Sequence, residues 1–282
     1  MKNNILYIVS TPLGNLSDFS FRAIEVLKQV DLIVAEDTRH SLRLLQHYHI
    51  EHKPLFSLHS HNETAATKKV LSFLQEGKSL ALMTDAGTPG VSDPGQHLVA
   101  LAHQAGIRVV PIPGPCAAIV AWSVSGFSCL EFIFIGFLPS KSTHCRKKLE
   151  TLGDEKRALL FYEAPHRLLS TLEEMHAVFG PNRRICFARE LTKQYETIRV
   201  DTLSAIWQWV KEDPMQQQGE CVLLVEGATF EKKEMTTADE MILKLLLKEL
   251  PLKKAAQMAS QITGISKNVF YYVGLSYKKY SL

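Results

Sequence analysis

The chain lacks long hydrophobic runs. Its first apolar segment, Ile5–Val9, is followed at once by the polar Ser10, whereas a membrane-spanning helix needs about 20 apolar residues. A secretory signal peptide would also need a longer apolar core. The sequence therefore argues against a transmembrane helix and predicts a cytoplasmic protein that does not bind membranes.

Cysteine is scarce, and its spacing does not indicate pairing. The five cysteines among 282 residues are far apart, and no Cys-x-x-Cys pair occurs. An odd and dispersed set favours reduced thiols over a disulfide framework. Histidine is denser between residues 47 and 61, but this segment has no His-x-x-x-His pair and no nearby cysteine. We therefore predict no metal site.

Two common nucleotide-binding motifs are also absent. The first apolar segment is not followed by Gly-x-Gly-x-x-Gly, and no complete P-loop of the form Gly-x-x-x-x-Gly-Lys-Ser/Thr occurs. These absences disfavour a dinucleotide and a nucleoside triphosphate. A compact, zwitterionic, adenosine-bearing ligand, held mainly by main-chain groups, fits the loops of this chain better.

Three segments rich in Gly and Pro each follow an apolar run. Five of the eleven residues from Asp85 to Gly95 are Gly or Pro, and shorter loops of the same kind span Ser10–Asn15 and Pro111–Ala118. Gly lets the main chain approach a ligand closely, and Pro stiffens the loop. The carboxyl ends of parallel strands share one edge of an open α/β sheet, where ligands bind. The pattern therefore predicts one crevice formed by all three loops.

Apolar runs alternate with segments of helical spacing, which is typical of βαβ units. We predict a first α/β domain with a parallel sheet over residues 1–125. A second α/β domain is predicted over residues 126–230. Its sheet is predicted to be mixed, because two consecutive strands meet around Glu190–Lys193 without a helix between them.

Residues 231–282 are predicted to form a helical extension. Thr236–Glu240 is typical of a helix start, Pro251 ends that helix, and two further helical segments flank the turn Gly264–Ser266. This is the outline of a helix-turn-helix. The segment contains nine lysines and five acidic residues. Nucleic-acid binding and a packing or dimerisation role both remain open for it.

Six motifs occur in a recognisable order along the chain. They are Thr11–Asp18, Ala35–Arg39, Asp85–Gly95, Pro113–Ala118, Glu163–Leu168 and Ala188–Lys193. With them the chain resembles the ribosomal RNA small subunit methyltransferase I family, a branch of the tetrapyrrole methylase superfamily of class III S-adenosylmethionine-dependent enzymes. Two departures from the tetrapyrrole pattern favour the RNA branch. The first loop reads Thr-Pro-Leu-Gly instead of Gly-x-Gly-Pro-Gly, and Thr88 stands in place of an aspartate.

The resemblance implies a function and a set of site residues. It implies 2′-O-methylation of a cytidine ribose in the decoding region of 16S ribosomal RNA, within the 30S subunit, by a homodimer. It also implies two α/β domains with S-adenosylmethionine in the cleft between them. The motifs place cofactor binding on Thr11, Pro12, Leu13, Gly14, Asp85, Ala86, Gly87, Thr88, Pro89, Ser92, Pro113, Gly114, Pro115, Ala117, Ala118, Tyr162 and Glu163.

Catalysis and RNA binding require further groups. A ribose hydroxyl must lose its proton as it attacks, so we expect a base within hydrogen-bond reach. Asp37, Glu163 and His61 are the candidates, and a structural pairing with an arginine is the alternative for the two acids. Basic side chains that neutralise phosphates drive RNA affinity. The candidates for this role are Arg39, Lys141, Arg146, Arg167, Arg189 and Lys193.

Two other functions remain open. A methylase acting on a tetrapyrrole or on a protein would share the cofactor but would need a deep apolar or protein-shaped crevice. A non-enzymatic nucleic-acid-binding protein would use the terminal helices and keep the α/β part as a ligand sensor. Binding to ribosomal RNA separates the first alternative from an RNA methylase, and methyl transfer to any substrate excludes the second.

Overall fold

The structure, a computed structural model, describes residues 4–228, 235–265 and 267–279, without the side chains of Asn268, Lys278 and Lys279. Residues 1–228 form one compact unit and residues 229–282 form a second. The domain boundaries at residues 125 and 230 stay predictions, and residue 230 lies outside the described ranges. No helix within those ranges has the length and apolar character that a membrane span requires.

The first sheet of the larger unit is parallel, as predicted. Its strands lie in the order β3-β2-β4-β1-β5. They are β1 (Ile5–Val9), β2 (Leu32–Ala35), β3 (Leu55–Ser57), β4 (Leu80–Met83) and β5 (Arg108–Ile112). The helices of this half are α1 (Phe21–Gln29), α2 (Thr38–His47), α3 (Glu63–Gln75), α4 (Gln96–Gln104) and α5 (Ala117–Val124).

The two faces of this sheet carry separate cores because side chains alternate along each strand. On β4, Ala81 and Met83 pack with α1 and α2, whereas Leu80 and Leu82 pack with α3 and α4. Strand β1 lies between β4 and β5 and pairs with both. The loops that follow these three strands therefore begin side by side at one edge of the sheet.

The second sheet is mixed, as predicted. Its strands lie in the order β6-β7-β10-β8-β9, with β6 and β7 parallel and the other pairs antiparallel. They are β6 (Phe132–Phe137), β7 (Ala158–Glu163), β8 (Arg184–Arg189), β9 (Thr197–Thr202) and β10 (Cys221–Val225). The accompanying helices are α6 (Ser142–Glu150), α7 (Leu168–Phe179) and α8 (Leu203–Glu212).

Helix α5 joins the two halves of the larger unit. One face of the second sheet packs against α6, α7 and α8. The opposite face packs against Ala118 and Ala121 of α5. Almost every residue of α5 is apolar, so a helix that follows the first sheet in the chain is buried partly by the second sheet.

The smaller unit contains three described helices with their own core. They are α9 (Thr237–Glu249), α10 (Leu252–Thr263) and α11 (Lys267–Lys279). A capping box formed by Thr236 and Asp239 begins α9. Gly264 ends α10 in the left-handed conformation, with φ 75°. The predicted turn extends to Ser266, which lies outside the described residues.

Candidate functional site

The three Gly- and Pro-rich loops form one hydrogen-bonded frame. The main chains of Thr11 and Gly87 exchange hydrogen bonds of 2.8 and 3.1 Å. The hydroxyl of Thr88 donates to the carbonyl oxygen of Pro115 at 2.9 Å, and the Ser10 hydroxyl lies 2.9 Å from the same Thr88 oxygen. Gly114 passes so close to Ser10 that a Cβ on it would lie 2.9 Å from the Ser10 Cβ. The predicted meeting of the loops is therefore observed.

A cavity of about 400 Å³ lies beside this frame, between the first half and the second half of the larger unit. Its volume is within the range of small-molecule sites. Among the predicted cofactor residues, those that line it are Leu13, Asp85, Ala86, Gly87, Thr88, Ser92, Ala117, Tyr162 and Glu163. The others lie outside the wall: Thr11, Pro12, Gly14, Pro89, Pro113, Gly114, Pro115 and Ala118.

The cavity wall is rich in carboxylates. Glu36, Asp85, Asp93 and Glu220 contribute to it, whereas the described lining residues include no Lys or Arg. Burial raises the pKa of Glu36, and the nearby Asp85 raises it further. Burial, followed by the charges of Glu36 and Asp85, raises the pKa of Asp93 to about 7. The wall therefore favours a cation and disfavours a phosphate.

The carboxylates of this wall are spread over several loops. Within the described ranges, no group of three or more His, Cys, Asp or Glu side chains is placed to hold a metal ion. The sequence interpretation missed Glu36, Asp93 and Glu220. Asp93 and Glu36 each lie within one of the six motifs, Asp85–Gly95 and Ala35–Arg39, and could have been suspected on that ground. Glu220 lies outside all six motifs.

Aromatic side chains form the wall on the second sheet. The Tyr162 hydroxyl accepts a hydrogen bond from the main-chain N–H of Ala118 at 3.1 Å, which ties β7 to the start of α5. The rings of Phe134 and Phe137 lie 5.0 and 5.7 Å from the Tyr162 ring. Phe137 is 54% exposed. It lines the cavity and is also open to solvent.

The three predicted bases differ in their surroundings. Asp37 caps α2 and accepts hydrogen bonds from the Arg39 side chain and main chain, which lower its pKa to about 2. The Glu163 side chain is fully buried and accepts from Thr171 Oγ1 at 2.7 Å and from the Ala164 N–H at 2.8 Å. It also pairs with Arg167. Both acids therefore have the arginine pairing that is the structural alternative to catalysis.

His61, the third candidate, belongs to the polar loop between β3 and α3. Its ring lies 5.9 Å from that of His59. His61 is exposed and does not line the cavity. The structure therefore gives none of the three predicted bases a free side chain in the cavity.

The predicted RNA contacts differ in their exposure and in their partners. Arg39 and Lys141 are exposed, and Arg146 is half exposed and pairs with Glu174 at 2.8 Å. Arg189 is 7% exposed and donates to the carbonyls of Tyr195 and Gln218.

Arg167 resembles Arg189, since it donates to the carbonyls of Leu138 and Pro139 besides pairing with Glu163. The guanidinium groups of Arg167 and Arg189 are thus engaged within the fold, and a role in phosphate contact stays a prediction for both. Lys193 is intermediate: it pairs with Glu190 and Glu220 at 3.0 and 2.9 Å.

Solved structures with a similar architecture are methyltransferases. The methyltransferase CobJ has a TM-score of 0.59 at 21% identity, and the match covers 79% of this chain and 94% of that chain. The uroporphyrin-III-C-methyltransferase from Thermus thermophilus has a TM-score of 0.57 at 17% identity, with 79% and 94% covered. These likenesses show the fold. The class is thus a two-part α/β protein with a cleft between its sheets.

Sequence similarity assigns the chain to a narrower class than the fold does. The family of tetrapyrrole (corrin/porphyrin) methylases matches residues 5–207, and an RsmI C-terminal HTH domain matches residues 234–278. The chain belongs to the tetrapyrrole methylase family, in its ribosomal RNA small subunit methyltransferase I branch. This confirms the resemblance and the fold class predicted from the motifs.

Two relatives illustrate the likeness within this branch. The ribosomal RNA small subunit methyltransferase I of Pseudomonas aeruginosa is 51% identical over 273 residues, which cover 96% of each chain. The protein of the same name from Haemophilus influenzae is 50% identical over 275 residues, which cover 97% of each chain.

Proposed function

We propose that this protein uses S-adenosylmethionine to methylate the 2′-oxygen of a cytidine ribose in the decoding region of 16S ribosomal RNA, within the 30S subunit and as a homodimer. The observation that carries the proposal is a carboxylate-lined cavity between the two α/β halves of a chain whose relatives, similar over almost their whole length, are named ribosomal RNA methyltransferases.

The cavity residues fit this cofactor chemically. S-adenosylmethionine carries a sulfonium cation and no phosphate, and it supplies an electrophilic methyl group when bound. Glu36, Asp85 and Asp93 give the cavity a negative potential that stabilises such a cation. Gly87 and Thr88 lie in the wall together with Leu13. The residues present therefore suit the group, and a triphosphate would be repelled.

The hydroxyl of Thr88 should be important for cofactor affinity. Valine at this position has a similar volume but leaves the Pro115 carbonyl without its donor, at a cost of about 1–3 kcal/mol. We expect Thr88→Val to weaken S-adenosylmethionine binding roughly tenfold in calorimetry. Thr88→Ser keeps the hydroxyl and should bind as the unmodified protein does. Equal affinities for all three proteins would contradict a role for this hydrogen bond.

The RNA must reach a cavity that repels phosphates. We propose that Arg39, Lys141 and Arg146 hold phosphates outside the cavity, where all three residues are exposed. A single nucleotide then enters the cavity. Its base no longer stacks on the adjacent bases of the RNA and can stack on an aromatic ring of the protein instead. Phe137 is the ring placed for this contact.

Removing the Phe137 ring should therefore affect RNA and spare the cofactor. One base–aromatic stack contributes roughly 1–3 kcal/mol, so we expect Phe137→Ala to raise the KM for the RNA substrate about tenfold. Cofactor affinity should stay unchanged. Phe21→Ala is the matched control, because Phe21 is 87% exposed on α1 and lies outside the cavity wall. A KM equal to that of the control would remove Phe137 from the RNA surface.

Methyl transfer from tritiated S-adenosylmethionine tests the proposal directly. The substrates are naked 16S ribosomal RNA and 30S subunits from a strain that lacks decoding-region methylation, and nuclease digestion maps the label. Label on one ribose 2′-oxygen is the expected result, with 30S subunits as the better substrate. Intact cofactor binding without transfer to either substrate would overturn the RNA assignment and favour a tetrapyrrole or protein substrate.

A further inference from the structure

Asp93 occupies a fixed position in the loop between β4 and α4. Ser92, which precedes Asp93, is a non-glycine residue with φ 65°. Gly95, two positions after Asp93, has φ 124°. The loop presses against β6 of the other half, where a Cβ on Gly136 would lie 2.9 Å from the Ser92 Oγ. Gly136 itself lies at an irregularity in the pairing of β6 with β7. Backbone strain of this kind is concentrated at functional sites, and here it fixes the residue that precedes Asp93.

Asp93 also differs chemically from the acids that the sequence singled out. Asp37 and Glu163 are each held by an arginine, whereas no ion pair involves Asp93 in the part of the chain that the structure describes. The charged and titratable groups around it are Glu36, Asp85, Glu220 and the Tyr162 hydroxyl. Its carboxyl is therefore half-buried in the cavity among negative neighbours.

We propose that Asp93 is the catalytic base that accepts the proton of the attacking ribose hydroxyl. This inference rests on the proposed function. The hydroxyl oxygen forms a bond to the methyl carbon while the carbon–sulfur bond breaks and its electron pair stays on sulfur. The hydroxyl proton passes to a carboxylate oxygen of Asp93. A sulfonium and a carboxylate become a neutral thioether and a neutral carboxylic acid, so the half-buried site loses a pair of opposite charges.

The acidity of Asp93 suits this role. Burial and the charges of Glu36 and Asp85 raise its pKa to about 7. A base is most effective when its pKa lies near the working pH, because it is then deprotonated often enough and still binds the proton well. Asp37, with a pKa of about 2, would accept a proton poorly.

The test compares Asp93→Asn with the unmodified protein on 30S subunits. We expect kcat at saturating cofactor to fall roughly 10²–10⁴-fold. Calorimetry should show a weaker cofactor affinity as well, because one of the wall carboxylates is lost, but a loss much smaller than that of kcat. With limiting cofactor, kcat/KM reports the free enzyme. It should rise with pH through about 7 in the unmodified protein and lose this rise in Asp93→Asn. Asp154→Asn, an exposed acid outside the cavity, is the matched control.

A second variant acts on Asp93 without changing it. Glu36→Gln removes a negative neighbour, so the pKa of Asp93 falls and the rise of kcat/KM should move to lower pH. A purely structural role for Asp93 would not produce this shift. Asp93→Asn with the kcat and pH profile of the unmodified protein would overturn the inference and leave the proposed function standing. An unmodified protein that binds cofactor but methylates no RNA would overturn both.

Discussion

Replacing Arg167 with methionine should lower the free energy of unfolding of the α/β unit by about 3–5 kcal/mol and its melting temperature by on the order of 10 °C. Arg167 lies 3.3 Å from the Glu163 carboxylate, whose side chain has no exposed surface. Methionine removes the positive charge and leaves the Glu163 carboxylate buried without a counter-charge. The hydrogen bonds that this carboxylate accepts from Thr171 and Ala164 offset the cost of its burial only in part.

Arg157→Met provides the matched control for this prediction. Arg157 also pairs with a glutamate, Glu155, but its side chain is 47% exposed, so water can replace the lost partner. Chemical denaturation of both variants measures the difference. A destabilisation for Arg167→Met no larger than for Arg157→Met would mean that the ion pair adds nothing to the stability of Glu163. The double variant Glu163→Gln with Arg167→Met should recover part of the loss, because it removes the buried charge itself.

Replacing Gly14 with alanine should reduce kcat/KM on the order of 10²-fold, which is the loss that a displacement of about 1 Å can cause in an active site. A Cβ on Gly14 would collide with the Cγ of Lys193. Lys193 cannot move freely, because its ammonium group pairs with Glu190 and Glu220. The first loop must then shift, and Leu13, which lines the cavity, shifts with it.

A double-variant cycle separates this clash from other effects. Lys193→Ala removes the obstructing side chain, so Gly14→Ala should cost little in that background, and the two changes should be strongly non-additive. Gly153→Ala is the matched control, since a Cβ there makes only an ordinary contact of 3.5 Å with Glu150. Equal losses from Gly14→Ala with and without Lys193 would show that the clash is not the cause.

The elements of the fold could be predicted because they carry strong local patterns. The buried strand Leu80–Met83 and the helix after it follow directly from apolar spacing and bounding glycines. The strand Leu55–Ser57 does not follow from the sequence, because three partly buried residues show no periodicity. Local pattern therefore indicates the alternation of strands and helices and the two consecutive strands of the mixed sheet.

The site was less predictable, because the partners and the burial of a charged side chain depend on contacts between distant segments. The three loops were identifiable from Gly and Pro alone, and they meet as expected. Nothing local distinguishes Glu163, which pairs with Arg167, from Asp93, which has no ion pair within the described residues, since the neighbours of both acids come from folding. The same holds for Arg189. Its buried guanidinium donates to the carbonyl oxygen of Gln218, which lies about thirty residues away in the sequence.

The order of strands in the second sheet has a consequence for synthesis of the protein. Its last strand in sequence, β10, lies at the centre and joins β7 to β8. Until residues 221–225 have been translated, β7 and β8 each keep an unpaired edge, and α5 packs on an incomplete sheet. The second half therefore closes in a late step, after the first sheet can already have formed. A chain that stalls before residue 221 exposes two strand edges, a condition that favours aggregation.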